Sequence, residues 1–233
     1  MSQSDLTGRV VLVTGASRGI GLATARAALD AGARVVMGAR TAERLRRAAE
    51  ELSARGEVAH RAIDVRDYGD MQAFVDLALE RFGRADALVN DAGVAWAGDF
   101  AAMPPAEIEA AVAVNVGGVL RATRAVLPPM LERGAGTVVN ISSGVAHHGM
   151  PGLAAYSASK FAVNGFTEAL AGEVGTAGVG VYAVCPGRVA TDMQETVSGR
   201  RQGMPPERIA AAVTAILGPE PPLRPGQCLD VYQ

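Results

Sequence analysis

Short β-branched runs alternate along the chain with longer stretches whose apolar residues recur at helical spacing. Arg9 to Thr14, Val35 to Gly38, Val58 to Ile63, Ala87 to Val89, Thr137 to Ile141, Val179 to Val184 and Gln227 to Val231 read as strands. A helical pattern follows the first strand as far as Ala31, with Gly32 as its stop. Thr41 to Ala54, Tyr68 to Phe82, Pro105 to Glu132, Ala154 to Val174 and Pro206 to Leu217 read as further helices. A kink is expected in the Pro105 stretch near Pro128-Pro129. Strands that alternate with helices require crossover connections, so the expected fold is α/β, a doubly wound parallel sheet of seven strands covered on both faces. The doubly wound pattern predicts strand order 3-2-1-4-5-6-7, with ligands at the carboxyl ends of the strands, between the first and the fourth.

The alternation leaves no repeat, linker or low-complexity segment, so residues 1–233 read as one domain. Gln194 to Pro205 reads as a loose segment within a short lid at 192–205, and Gly218 to Pro225 as a proline-rich connector. Hydrophobic residues make up 49% of the chain, enough for a large core. Charge is balanced at −2 with no basic cluster, which argues against a nucleic-acid surface. No apolar run reaches the roughly 18 residues of a membrane span. Met1 to Gly8 is polar and has no signal-peptide core. Cys185 and Cys228 do not make a disulfide framework, so a reduced, cytoplasmic setting is expected.

Two stretches carry chemistry. Between the first strand and the first helix stands Gly15-Ala16-Ser17-Arg18-Gly19-Ile20-Gly21. Small residues at a strand-to-helix turn let a pyrophosphate approach the backbone, and the helix N-terminus supplies N–H donors and a positive dipole. The second stretch is Tyr156-Ser157-Ala158-Ser159-Lys160 at the start of a helix. Tyr156 and Lys160 are one turn apart and share a face. Lys160 is the sole lysine, since the other twenty-one basic residues are arginines. Chance places a sole lysine one helical turn after one of four tyrosines only about 2% of the time. A compact ammonium that tolerates tight sites is what distinguishes lysine from arginine, so the two residues read as a catalytic pair.

At this point the sequence resembles the classical short-chain dehydrogenases/reductases over essentially its whole length. The matches are Thr14 through Gly21, Asp64-Val65, Asn90-Asp91-Ala92-Gly93, Asn115, Ser143, Tyr156 with Lys160, and Pro186-Gly187 with Thr191. The separation of 13 between Ser143 and Tyr156 is the one this family uses and selects Ser143 over Ser142. The resemblance implies a Rossmann fold and hydride transfer between nicotinamide and a ketone or secondary alcohol. It implies that Tyr156 is the proton donor, Lys160 its electrostatic partner and a ligand of the nicotinamide ribose, Ser143 a donor to the substrate oxygen, and Asn115 the holder of a water leading to Lys160. Lys160 beside the phenol, helped by the oxidised nicotinamide, is expected to bring Tyr156 from about 10 toward neutrality, which needs roughly 4 kcal/mol. Gly15, Ser17, Arg18, Gly19, Ile20 and Gly21 would then cradle the pyrophosphate. Asp64 and Val65 would meet the adenine, and Asn90, Ala92 and Gly93 the ribose side. Pro186, Gly187, Val189 and Thr191 would hold the carboxamide. Asp91 stands where the family has Asn. An acid there turns a donor into an acceptor and is expected to bear on sheet bonding more than on catalysis.

NADP(H) is expected over NAD(H). An NAD enzyme carries Asp or Glu about 20 residues past the glycines, whereas here that place reads Gly38-Ala39-Arg40-Thr41. Arg40 and Arg18 can clamp a 2′-phosphate. Trp96, Val145, His147, His148, Met150, Leu153 and Met193 are candidate walls for a small-to-medium, largely apolar carbonyl or alcohol substrate. His147-His148 reads as substrate loop and Arg200-Arg201 as lid surface, and no metal is expected. Among acyl-carrier-protein reductases of the family, basic residues sit near the site's mouth. Arg133 is the candidate here, with no partner on the Ala154 helix, and a 3-oxoacyl-thioester substrate is the alternative. A non-catalytic dinucleotide sensor is a further alternative, weakened because Tyr156 and Lys160 are both kept. The Pro105 and Ala154 helices are apolar on more than one face. The family pairs these two helices, so a homo-oligomer, tetramer or dimer, is expected.

Overall fold

The computed structural model describes residues 5–232. Met1 to Ser4 and Gln233 lie outside them, and with them half of the polar stretch read as lacking a signal sequence. Seven parallel strands form one sheet: β1 (Val10–Thr14), β2 (Arg34–Ala39), β3 (Val58–Ala62), β4 (Ala87–Asn90), β5 (Gly136–Ile141), β6 (Val179–Pro186) and β7 (Cys228–Val231). Their order is β3-β2-β1-β4-β5-β6-β7, as the alternation predicts. The helices are α1 (Gly19–Asp30), α2 (Ala42–Leu52), α3 (Tyr68–Phe82), α4 (Pro105–Ala110), α5 (Gly117–Arg133), α6 (Ala154–Val174), α7 (Asp192–Ser198) and α8 (Pro206–Leu217).

Period-two alternation within the buried strands divides the core. Val11 and Val13 of β1 face Leu45 and Leu52 of α2 and Ile209 and Val213 of α8. Val10 and Leu12 face the other layer, with Met71 and Phe74 of α3, Val126 and Met130 of α5 and Leu170 of α6. A polar ladder crosses this second layer. Asn90 Nδ2 donates to Asn140 Oδ1 at 2.9 Å, and Asn140 Nδ2 donates to Thr167 Oγ1 at 2.9 Å. Both asparagines are buried, so their pairing removes what would otherwise be a large desolvation penalty.

Two elements differ from the sequence pattern. Pro105–Arg133 is one continuous helical stretch with a π-helical turn at Ala111–Val116, between α4 and α5, while Pro128-Pro129 lie inside α5, which runs on through them to Arg133. The extra residue of a π turn belongs to functional places more often than not, and Asn115 stands in it. The segment read as loose begins as helix α7. Thr191 caps it by accepting from Gln194 N at 3.3 Å, and Gly199 closes it at φ 69°.

Candidate active site

The carboxyl ends of β1, β4, β5 and β6 open onto a cleft of about 750 Å³. At the end of β1 the chain turns through Gly15 at φ 70° and enters α1 at Gly19, φ 57°. A Cβ on Gly15 would stand 2.9 Å from Ala92 N, so only glycine brings the turn this close to the end of β4. Thr14 Oγ1 fixes the same junction by accepting from Asp91 N at 3.1 Å and Ala92 N at 3.2 Å. The result is a bare-backbone floor at a helix N-terminus, the shape and polarity that suit a pyrophosphate.

The catalytic candidates meet on the opposite wall. Lys160 is buried, and its Nζ donates to Ile141 O at 2.8 Å and lies 5.6 Å from the centre of the Tyr156 ring. Ser143 Oγ accepts from Val145 N at 3.4 Å and stands close enough to the Tyr156 phenol to favour its ionised form. Asn115 reaches the pair indirectly. Its Oδ1 accepts from Val94 N at 2.8 Å, while its Nδ2 donates to Val94 O at 2.9 Å and to Ser159 Oγ at 3.0 Å. With its amide committed on both sides, Asn115 ties the loop after β4 to α6 and does not line the cleft.

The electrostatics correct one expectation. Burial pushes Tyr156 up to about 12, against the lowering effect of Ser143, and Asp91 raises it further. Burial also pulls Lys160 down to about 8, opposed by Asp91. Attraction between the two groups favours the phenolate, but desolvation of both acts the other way and outweighs it here. Asp91 is likewise more than a sheet residue. The β1–β4 register runs regularly from Val11↔Ala87 to Thr14↔Asn90. Burial raises the Asp91 carboxyl to about 7, against the lowering effects of Lys160, the nearby Gly21 N–H and Arg18.

Several other candidates fall elsewhere. Gly21 does not line the cleft. A Cβ there would stand 2.6 Å from Asp91 Oδ2 and from Gly15 O, so this glycine serves packing. The Asn90 side chain belongs to the buried ladder and not to the ribose side. Trp96 stays outside the cleft, its indole folded over Gly98, whereas Val145, His148, Met150, Leu153 and Met193 line it. His147 is turned away toward Asp230 at 2.8 Å. Arg133 lies at the amino ends of the strands, 3.2 Å from Asp86, so it cannot stand at the site's mouth. Gly15, Ser17, Gly19, Ile20, Asp64, Val65, Ala92, Gly93, Pro186, Gly187, Val189 and Thr191 do line the cleft. So do Arg18 and Arg40, although Arg18 pairs with Asp192 on α7 at 2.9 Å, and Asp192 also holds Arg201 at 3.0 Å. Arg44, one turn into α2 beyond Arg40, lines the cleft as well and was not among the sequence candidates. Its spacing of four from Arg40 was the available signal.

A doubly wound sheet, a glycine floor at its switch point and a Ser-Tyr-Lys wall define an oxidoreductase built around a nicotinamide dinucleotide. The family model for short chain dehydrogenases matches residues 9–202. A Streptomyces virginiae protein named as a ketoacyl reductase of the monensin polyketide synthase is 43% identical over 206 residues, 87% of this chain and 77% of that one. Among solved structures, an actinorhodin polyketide ketoreductase variant with NADPH shares 36% identity at TM-score 0.92, covering 96% of this chain and 95% of that one. The 3-ketoacyl-(acyl-carrier-protein) reductase of Brucella melitensis complexed with NADH shares 32% at TM-score 0.91, covering 97% and 98%. The chain belongs to the short-chain dehydrogenase/reductase family, and it is an oxidoreductase acting on C=O and CH–OH groups.

Proposed function

We propose that the protein is an NADP(H)-dependent reductase of a small-to-medium, largely apolar ketone. The observation that carries this reading is the Ser143–Tyr156–Lys160 wall facing an apolar-lined cleft whose far rim carries Arg40 and Arg44. No Asp or Glu occupies the end of β2, and among the described residues neither arginine has an acid within salt-bridge distance. Both are free to meet a 2′-phosphate. The dinucleotide would rest on the Gly15–Gly19 floor, with Pro186, Gly187, Val189 and Thr191 beside its nicotinamide.

The cofactor supplies a hydride for the carbonyl carbon. The chain's own task is to hold the carbonyl oxygen and give it a proton. Ser143 and Tyr156 hydroxyls donate to that oxygen, and Tyr156 then releases its proton to it. An acid near 12 is protonated at neutral pH and still far stronger than water at about 15.7, whose conjugate base matches an alkoxide. Lys160, charged below about 8, favours the phenolate as it forms. Asn115 supports the pair from behind by fixing Ser159, with any water link left to its backbone.

A 3-oxoacyl thioester is the second reading, favoured by the printed names of the ketoacyl reductase relatives and by Arg188 on the cleft wall. Consumption of NADPH by the purified protein is measured against simple ketones, diketones and a short 3-oxoacyl thioester. Turnover of ketones that is lost in Tyr156→Phe is expected. Turnover confined to the thioester selects the second reading, and equal use of NADH removes the NADP assignment. On the outer surface Val112, Leu120 and Phe161 are exposed along the π turn, α5 and α6. This apolar face supports a homo-oligomer, and the balanced charge and reduced thiols support a cytoplasmic setting.

A further inference from the structure

Behind Ser143, on the side of the sheet away from the dinucleotide floor, three distant parts of the chain bring metal-ligating atoms together. His147 Nε2, Cys185 Sγ and a carboxylate oxygen of Asp230 all lie within 4.8 Å of one another. The convergence follows from strand register. Cys185 of β6 pairs with Asp230 of β7, and Ala183 pairs with Cys228. Alternate residues of a strand share a face, so Cys228 and Asp230 of β7 present their side chains on one side. His147 arrives from the loop that follows β5, four residues after Ser143. The catalytic wall uses none of these three groups.

We propose that His147, Cys185 and Asp230 form a binding site for one zinc ion that clasps the edge strand β7 and the catalytic-serine loop to β6. The donor set is one imidazole, one carboxylate and one thiol, a mixture that a borderline-soft, tetrahedral divalent ion takes, with its fourth position left to water. Bond lengths of about 2.0–2.3 Å put tetrahedral neighbours roughly 3.3–3.8 Å apart, within the 4.8 Å span of the three atoms here. The His147–Asp230 separation of 2.8 Å is shorter than that, as fits a shared proton that an ion would displace. Binding releases the thiol proton, so affinity rises with pH. Cys185 is fully buried while Asp230 is exposed and His147 partly so, which gives the ion an entry side and a closed floor. The clasp also bears on the active site. The Tyr232 hydroxyl donates to Asp230 at 3.3 Å, and its ring abuts Gly144 and Gly187, which line the cleft.

The test uses the reduced, chelator-treated protein, titrated with zinc and separately with cobalt(II) as a spectroscopic probe. One ion per chain is expected, with a thiolate-to-cobalt charge-transfer band, tetrahedral d–d bands, and a zinc-induced rise in Tm of several degrees. Cys185→Ser and His147→Ala should lose the ion and the Tm rise. Cys228→Ser should still bind, with the charge-transfer band in place. Sub-stoichiometric binding, or a cobalt spectrum unchanged in Cys185→Ser, overturns the site. Loss of the ion in Cys228→Ser overturns the three-ligand arrangement. A Cys185–Cys228 disulfide that forms while metal does not bind also overturns it.

Discussion

Replacing Asp91 by Asn separates charge from shape at the catalytic wall. The amide keeps the side chain's shape and an oxygen beside the Gly21 N–H, so the β1–α1 turn should hold. What is lost is an anion beside Lys160 and Tyr156. Two unit charges about 6 Å apart at an effective dielectric of about 20 interact by about 2.8 kcal/mol, or about 2 pKa units. The cleft admits solvent and Asp91 is partly exposed to it, so about one unit is the working figure. The sign follows from the charges. An ionised Asp91 favours the ammonium, so its removal lowers Lys160 below its present value of about 8. Asp91 and Lys160 titrate close together, at about 7 and about 8, so the pH–rate profile of the wild type reports the pair. In kcat/KM for NADPH-dependent ketone reduction, the alkaline limb of Asp91→Asn should move about one unit toward acid. The inflection from Asp91 should vanish, with Tm at neutral pH unchanged or higher. An alkaline limb that stays in place, or moves toward base, would refute the electrostatic coupling of these three groups.

Other expectations follow from the same geometry. Arg40→Asp should cost about 1.5–3 kcal/mol of NADPH binding, roughly ten- to a hundredfold in KM, while NADH use improves; an unchanged KM would leave the phosphate to Arg44 alone. Lys160→Arg should abolish turnover, because the larger guanidinium cannot keep the 2.8 Å contact with Ile141 O in a buried site; near-normal kcat would contradict this. Bound NADPH should protect Lys160 from acetic anhydride, read by mass spectrometry, since the cleft gives access to it and the sequence offers no competing lysine. Phe161→Glu with Leu120→Glu should lower the mass seen by light scattering; a wild type that is monomeric at micromolar concentration would remove the assembly reading.

The elements were legible because their signals are local. Most strands are short β-branched or apolar runs, and many boundaries fall near a glycine or proline. Arg40 could be placed at the end of β2, and Tyr156 with Lys160 by their helical spacing, whereas Ser143 was placed through the spacing to Tyr156 that the resembled family uses. Three kinds of information were not local. The π turn at Ala111–Val116 adds one residue to one turn, too little to disturb an apolar pattern of period 3.6. The side-chain directions of Trp96 and Asn90 depend on what packs around them, as do the pKa values of Tyr156 and Lys160. The meeting of His147, Cys185 and Asp230 depends on register between β6 and β7, which no spacing in the chain reveals. Helix α7 is the opposite case, since Thr191-Asp192-Met193-Gln194 has the form of a capping box, a terminus signal independent of periodicity.

The π turn also makes the chain intolerant of a change in length. Each residue of an α-helix advances the face by about 100°. Deleting one residue within Ala111–Val116 would restore regular winding and swing the segment before it by that angle relative to α5. Val114, now in the core layer, and Asn115, now bonded to Val94 and Ser159, could not both keep their places. The turn thus sets the phase between the half of the helix that packs on the sheet and the half that reaches the cleft loop. Substitutions there can be absorbed one side chain at a time, whereas an insertion or deletion displaces every contact on one side of it at once.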